Sequence, residues 1–217
     1  MHGDSLAYVI PVVFITIAAV AIFAVRRQSA RVSEVLNRVA TSSSWMNVRS
    51  LRLFNGVRGT WRQFPVHLSY QPRNKGAPQR MIVKIGATTD VRLIVKRKFE
   101  GLFSNRPLAW FGPPLVEVHQ PAAAQMWVRG DAPLAERIFS DQKVAALLSN
   151  NLVARFDEVK VDPKGLRIIR ALDERPVKRK YDMPTFSMSF NAEKFEPIAR
   201  EEIQLAEALV EKLSVIR

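Results

Sequence analysis

The chain opens with an uninterrupted apolar segment. Residues 6–25 contain no charged side chain, and only Tyr8, Pro11 and Thr16 depart from the aliphatic and aromatic run. At about 1.5 Å per residue, a helix of this length spans about 30 Å, which is the thickness of the hydrocarbon core of a bilayer. The segment therefore predicts a transmembrane helix, preceded by a short tail over residues 1–5.

Two other structures give a related pattern. A secretory signal peptide has a basic start and an apolar region of about 7–15 residues, whereas residues 1–5 contain no Lys or Arg and the apolar run here is longer. A helix from the core of a soluble protein is rarely apolar on every side at the end of a chain. The pattern favours a membrane anchor over both alternatives.

Basic residues follow the apolar segment directly. Arg26, Arg27, Arg31 and Arg38 lie on its C-terminal side, while Asp4 is the one charged residue before it. Because Lys and Arg flanking a membrane helix stay in the cytoplasm, we expect the N-terminus outside an inner (plasma) membrane and the remaining chain in the cytoplasm.

Helical spacing of apolar residues continues beyond the span. Val32, Val35, Leu36 and Val39 recur at intervals of three and four, and a polar cluster at 41–44 ends the pattern. The sequence therefore predicts a helical stalk and polar linker over residues 26–44, followed by one domain over residues 45–217.

From Leu51 the apolar residues alternate with polar ones instead. Residues 51–62 and 65–70 predict a hairpin, and the β-branched segments 80–85 and 91–96 predict two further strands. The expected result is an antiparallel meander of about four strands, with one apolar face and one strongly basic face.

Strands and helices occupy separate stretches of the remaining chain. A short strand is predicted at 125–128, helices at 133–139 and 143–150, and a second hairpin around the turn at 162–165. Asp141 is expected to cap the helix at 143–150. An amphipathic helix is predicted to begin at Pro197. Its apolar side comprises Ile198, Leu205, Ala206, Leu209, Leu213 and Ile216. This segregation predicts an α+β fold.

The positive charge is concentrated behind the membrane segment. The 217 residues carry a formal charge of +13, and residues 26–110 contain 17 Lys and Arg against three acidic residues, whereas residues 111–217 contain 16 of each sign. Such a segment is attracted to anionic lipid headgroups and also to nucleic acid. A tethered domain meets the bilayer or a membrane partner first, so we expect contact with anionic lipid and integral membrane subunits and do not expect nucleic acid. The residues predicted to lie at the membrane surface are Arg26, Arg27, Arg31, Arg49, Arg52, Arg58 and Arg62.

The sequence contains few elements of catalytic chemistry. Cysteine is absent, which excludes disulfides, cysteine-ligated metal and a thiol nucleophile. His2, His67 and His119 are isolated, so no metal site is expected. The chain also lacks a Gly-x-Ser-x-Gly elbow, a Walker loop and a Gly-x-Gly-x-x-Gly stretch. We therefore predict no catalytic residues, no cofactor and no enzymatic activity.

Several acidic residues and one glycine pair have two interpretations. Asp131 either contacts a ligand or caps the following helix, and the cap is favoured. The adjacent carboxylates Asp157-Glu158 and Glu201-Glu202 face different ways and are expected on solvated faces. The segment Gly56-Val57-Arg58-Gly59 resembles an RNA-binding Gly-x-x-Gly clamp, but its strand context favours a bulge or close packing.

Two further groups are candidates for protein contact. Ala18, Ala21 and Ala24 share one side of the predicted membrane helix and either pack against another helix or are neutral filler in lipid. Trp110 and Phe111 lie in a Pro- and Gly-rich loop, where they either anchor a partner or plug the core of the domain.

Three short motifs connect the chain to a known group of domains. They are Gly59-Thr60-Trp61-Arg62-Gln63-Phe64-Pro65-Val66, Leu93-Ile94-Val95-Lys96-Arg97 and Val128-Arg129-Gly130-Asp131. Together they resemble bacterial membrane-tethered domains of unknown function, which show Gly-x-aromatic-Arg-x-x-x-Val on an early strand and Gly-Asp before a helix. The resemblance covers roughly residues 50–175 and implies the α+β architecture without implying an activity.

The expected function is that of an accessory or scaffold subunit on a larger membrane complex. The membrane span, the basic membrane-proximal region and the lack of a catalytic set support this expectation. A membrane-tethered lipid- or ligand-sensing domain is the first alternative, and a cryptic hydrolase is the second.

Overall fold

A computed structural model describes residues 4–51, 55–72, 78–98, 113–154, 157–172 and 192–214 of the chain. Arg52 and the predicted partner loop with Trp110 and Phe111 lie outside these residues. Ile216, assigned by the sequence to the apolar side of the last helix, lies outside them as well.

The described residues form four helices and eight strands. The helices are α1 (Asp4–Ser42), α2 (Ala132–Ser140), α3 (Gln142–Asn151) and α4 (Ala192–Ser214). The strands are β1 (Met46–Leu51), β2 (Gly56–Trp61), β3 (Phe64–Gln71), β4 (Arg80–Ile85), β5 (Leu93–Arg97), β6 (Met126–Gly130), β7 (Glu158–Asp162) and β8 (Gly165–Ala171).

All eight strands belong to one antiparallel sheet in the order β1-β2-β3-β4-β8-β7-β5-β6. The two predicted hairpins are present, and the α+β class is confirmed. The predicted meander was wrong at its last step, because β5 pairs with β6 and β7 and the β7–β8 hairpin lies between β4 and β5. Strand β1, which begins just after the predicted linker, was not predicted as a strand.

One face of the sheet carries a continuous row of apolar side chains. A single row of buried side chains crosses it at matched register, and the chain periodicity of two places every member of the row on the same side. From β2 to β6 the row consists of Val57, Leu68, Val83, Ile168, Val159, Val95 and Val128. The second half of α1 and the helices α2, α3 and α4 share one hydrophobic core with this face.

The second half of α1 belongs to the domain. Val32, Leu36, Val39 and Ala40 are buried in the common core, as is Trp45 just beyond the helix end. The predicted stalk is therefore helical up to Ser42, and it packs against the domain instead of standing apart from it.

The first half of α1 has different surroundings. Its large apolar side chains between Val12 and Val25 are mostly exposed, and the helix is long and apolar enough to cross a membrane. A signal sequence near the N-terminus satisfies the same criterion of length and composition.

Local signals set the helix ends. The carboxylate of Asp131 accepts the backbone N–H of Leu134 at 2.7 Å, and Asp141 accepts those of Lys143 and Val144 at 3.0 and 3.1 Å. Both capping predictions are confirmed. Helix α4 begins at Ala192, so the prediction that Pro197 starts it was wrong: the proline lies in the second turn of the helix.

Candidate anion-binding face of the sheet

The second face of the sheet carries basic side chains at matched register. One residue from each strand contributes to a continuous row, which we call the basic row, and seven of its eight members are Arg, Lys or His. From β1 to β6 the basic row is Arg49, Arg58, His67, Lys84, Arg167, Lys160, Ile94 and Arg129. The face opposite the helices therefore carries a basic side chain of this row on seven of its eight strands.

Acidic residues neutralise one side of the basic row. Glu158 on β7 lies 2.6 Å from Lys96 and 3.0 Å from Arg167, and Asp162 lies 3.0 Å from Lys160. Lys96 and Arg167 hold the pKa of Glu158 below its ordinary value against the opposing effect of burial. These ion pairs leave little net charge around β7 and β8.

The other side of the basic row lacks this compensation. Arg49, Arg58 and Lys84 are exposed, and none has a carboxylate partner within the described part of the chain. Like charges directly opposite each other on neighbouring strands, as Arg49 and Arg58 are, destabilise a sheet. An anionic partner placed over β1 to β4 would relieve this repulsion.

His67 reports the electrostatic environment of the row. Burial lowers the pKa of its imidazole most, and the neighbouring charges of Lys84 and Arg58 lower it further. An ionisable imidazole thus lies between two fixed positive charges.

Gly56 and Gly59 allow neighbouring groups to lie very close to the backbone of β2. A Cβ on Gly59 would lie 2.9 Å from the carbonyl oxygen of Met46, and one on Gly56 would lie 3.1 Å from Nε2 of His67. Close packing, favoured for the Gly-x-x-Gly segment, is confirmed. The two glycines hold β1 and the His67 ring against β2.

A groove of about 470 Å³ opens on the basic face. Its walls come from β2, β3, β4, β8 and the β7–β8 turn, and we call it the sheet groove. Its charged lining consists of Arg58, His67, Lys84, Asp162, Lys164 and Arg167. It is within the size range of small-molecule sites.

Arg26, Arg27 and Arg31 are exposed on α1, directly after its apolar half, and their contact with a membrane surface stays a prediction. Arg49 and Arg58 pair across β1 and β2. Arg62, by contrast, forms a 2.6 Å salt bridge with Glu211 and stacks over Trp61 at 4.6 Å. The structure does not bring Arg62 together with the other arginines.

The helix contacts fix which end of the sheet lies nearer the apolar half of α1. Arg38 lies 3.8 Å from Glu196, and Ser42 accepts a hydrogen bond from Arg200, so α1 and α4 run in the same direction. Glu211 follows Arg200 by 11 residues, or about 16 Å along a helix. Arg62 therefore lies beyond the end of α1, at the end of the sheet far from the apolar segment.

The alanine side of α1 is accessible. Ala18 and Ala21 are exposed and Ala24 is partly buried, on the part of the helix that precedes the domain. Contact of these three side chains with a further helix stays a prediction.

The paired carboxylates differ from the expectation of solvated faces. Asp157 is 1% exposed and Glu202 is 0% exposed, so the expectation was wrong for these two residues. Glu158 and the 50% exposed side chain of Glu201 point outward, which confirms that neighbours face different ways. The reason is that β8 and α4 meet over this position, where one residue of each pair must point into the core.

The two buried carboxyl groups lie close to Arg170. Asp157 accepts the backbone N–H groups of Val153, Ala154 and Ala171 at 2.5–2.8 Å. Neither carboxyl oxygen of Glu202 has a hydrogen-bond partner among the described residues. Burial raises the pKa of Glu202 well above its ordinary value, and the charge of Asp157 adds to this rise while Arg170 opposes it. Because solvent does not reach the two groups, they are not placed to act on a substrate.

Sequence reasoning identified Arg49 and Arg58 but missed Lys84, Lys160, Arg167 and Arg129. Each lies on an alternating strand, so its outward direction is readable from the pattern. Their alignment in one row depends on the strand order and register, which the pattern does not contain.

Comparison of the chain with family models, curated proteins and solved structures gave no match. Among the described residues, no group of three or more His, Asp or Glu is arranged to hold a metal ion. The resemblance to membrane-tethered domains stays a prediction, and the functional argument starts from the geometry of the sheet.

Proposed function

We propose that this protein is a non-enzymatic, single-pass membrane protein that docks through its basic face on an acidic surface of a neighbouring membrane protein. The single observation that carries the proposal is the basic row across all eight strands, uncompensated over β1 to β4. A positive surface of this size steers and orients an acidic partner.

The direction of the basic face favours a protein partner over the bilayer. The second half of α1 packs on the face of the sheet opposite to the basic face. Its axis therefore runs along the plane of the sheet and does not point through it. A membrane helix tilts by about 20° on average. With α1 crossing the bilayer, the basic face points sideways along the membrane instead of down onto it.

Lipid contact falls to a different part of the chain. Arg26, Arg27 and Arg31 follow the apolar segment within two helical turns, where they reach the headgroups. They also place this end of the helix in the cytoplasm by the positive-inside rule. The N-terminus is then outside the inner membrane, and the sheet is cytoplasmic.

The docking proposal is tested by cross-linking in the intact membrane. A photoreactive amino acid is placed at Lys84 on the basic face, or at Gln142 on α3 as the matched control, in the full-length protein. We expect Lys84 to yield a cross-link to an integral membrane protein and Gln142 to yield none. Combining Arg49→Glu with Arg58→Glu should lower the Lys84 product about tenfold, which corresponds to a loss of about 1.4 kcal/mol, because both charges adjoin the contact.

The control variant combines Arg137→Glu with Lys143→Glu, which makes the same change of charge on exposed positions of α2 and α3. It should leave the product unchanged. Any of three results would contradict docking. The protein could be found in the soluble fraction, nuclease could remove the cross-linked product, or the cross-links could be to lipid alone.

The alanine side of α1 gives a second prediction. If Ala18, Ala21 and Ala24 pack against a helix of the partner, then Ala21→Leu separates the two backbones and weakens co-purification in mild detergent severalfold. Ile22→Leu is the control, because it keeps side-chain volume at the next position. Both variants should insert into the membrane. A partner retained by Ala21→Leu would show that α1 is only an anchor.

A further inference from the structure

The charged lining of the sheet groove is unbalanced. Arg58, Lys84 and Lys164 have no acidic partner among the described residues, while Arg167 shares Glu158 with Lys96. The one carboxylate of the lining, Asp162, is already bound by Nζ of Lys160 at 3.0 Å and accepts the backbone N–H of Lys164 at 2.9 Å. Three cations without counter-charges therefore face one cavity.

Two glycines let the β7–β8 turn and the start of β3 approach the end of β4 closely. Gly165 has a φ of +120°, and a Cβ there would overlap the carbonyl oxygen of Ile85. A Cβ on Gly86 would lie 2.7 Å from the ring of Pro65. The β7–β8 turn, which carries Lys164, thus lies directly against the end of β4, which carries Lys84, and both lysines line the groove.

We propose that the sheet groove binds a small soluble ligand that carries a phosphoryl group. A phosphoryl dianion accepts several charge-assisted hydrogen bonds at once, which suits Lys and Arg donors arriving from three strands and a turn. A volume of about 470 Å³ accommodates such a group with a small organic substituent. The ligand supplies the negative charge that the lining lacks.

The position of the groove selects a soluble source over a lipid headgroup. It is lined by Pro65, Ile85 and Gly165, which lie at the same end of the sheet as Arg62. The 17 residues from Val25 to Ser42 alone extend about 26 Å from the apolar segment. The choice of source rests on the proposed membrane span, whereas the choice of a phosphoryl group rests on the groove alone.

The experiment uses full-length protein in nanodiscs of zwitterionic lipid, with pyrophosphate as the probe. Isothermal titration at constant ionic strength should show saturable binding of one pyrophosphate per chain, with sodium chloride in place of the probe giving no signal. Combining Lys84→Gln with Lys164→Gln should weaken binding at least tenfold. Combining Arg137→Gln with Lys143→Gln on the helical side should not change it.

The NMR titration midpoint of His67 provides a second readout, which reports an anion bound inside the sheet groove. Its imidazole is flanked by Arg58 and Lys84, and the groove adds Arg167, Lys164 and Asp162. A bound anion offsets the positive field, so the NMR titration midpoint of His67 should rise when pyrophosphate is saturating. In the Lys84→Gln, Lys164→Gln variant, adding pyrophosphate should leave the midpoint of that variant unchanged, whatever its value without the probe.

Three results would overturn the inference. They are absence of saturable pyrophosphate binding, equal loss of binding in the helical-side control, and binding that requires anionic lipid in the nanodisc. The measurement contains no partner protein. A failure here therefore leaves the docking proposal untouched, and a missing cross-link at Lys84 leaves the phosphoryl site untouched.

Discussion

Replacing Asp157 by alanine is expected to destabilise the full-length protein by about 3 kcal/mol, one of the two largest effects that we predict. The carboxylate accepts three backbone N–H groups, from Val153, Ala154 and Ala171, in a place that solvent does not reach. Truncation leaves all three donors without a partner and also removes a negative charge beside Arg170. In a folded unit of this size the loss corresponds to a fall in Tm of about 6–12 °C.

Thermal unfolding of the protein in detergent micelles, followed by circular dichroism, measures this effect. Asp90→Ala is the matched control, because Asp90 is exposed and its removal should change the stability by less than about 0.5 kcal/mol. Asp157→Asn should fall between alanine and wild type, since the amide keeps one acceptor oxygen. Equal Tm values for Asp157→Ala and Asp90→Ala would show that the three hydrogen bonds contribute nothing.

The sequence predicts the local elements of this fold because local rules determine them. Asp131 and Asp141 are recognised as caps by their type and position, and both accept the expected backbone N–H groups. The turn at Asp162-Pro163-Lys164-Gly165 follows from proline and glycine at their preferred positions. These signals act within a few residues and need no knowledge of the remaining chain.

Strand order is not a local property, and here prediction fails. The alternation in residues 80–85 and 91–96 is the same whether the two strands pair or not. The chain instead places the β7–β8 hairpin between them, so that Met81 faces Arg170 and Leu93 faces Val161. Only the three-dimensional packing of the helices on one face distinguishes the two arrangements.

The same limit applies to the candidate site. Sequence alternation predicts a basic face, and the structure shows one, but seven basic residues share a row only because of the observed register. Arg62 shows the converse. It lies close to Arg58 in the sequence, yet its side chain pairs with Glu211 of α4, the helix that packs on the opposite face of the sheet.

The buried carboxyl groups were missed for a related reason. Adjacent acidic residues are usually solvated, and no pattern within Asp157-Glu158 or Glu201-Glu202 marks one member as buried. Their burial follows from the meeting of two distant segments, at which Arg170 bonds to Asn151 and Glu201. Charge compensation across the segments is visible only once they are in contact.

Glu202 leads to the other large prediction, a loss of stability with rising pH. Its carboxyl group is fully buried and has no hydrogen-bond partner among the described residues, so burial raises its pKa in the folded protein well above the ordinary value of 4.5. Above that ordinary value the unfolded chain releases the proton while the folded protein retains it. The folded protein then binds more protons than the unfolded chain, so its stability falls as pH rises toward the folded pKa and is fully present below the unfolded pKa.

The expected slope for one such proton is about 1.4 kcal/mol per pH unit, or about 3–6 °C in Tm. Glu202→Gln removes this proton but keeps the shape of the side chain, so its Tm should match wild type in acid and exceed it increasingly toward neutral pH. Asp157, Glu201 and Arg170 are present both in wild type and in Glu202→Gln. The difference in Tm between the two proteins at each pH therefore reports the titration of Glu202. Glu117→Gln, at an exposed position, should follow the wild-type profile. A constant offset between Glu202→Gln and wild type at every pH would mean that Glu202 is already ionised in the folded protein, with Arg170 balancing its charge.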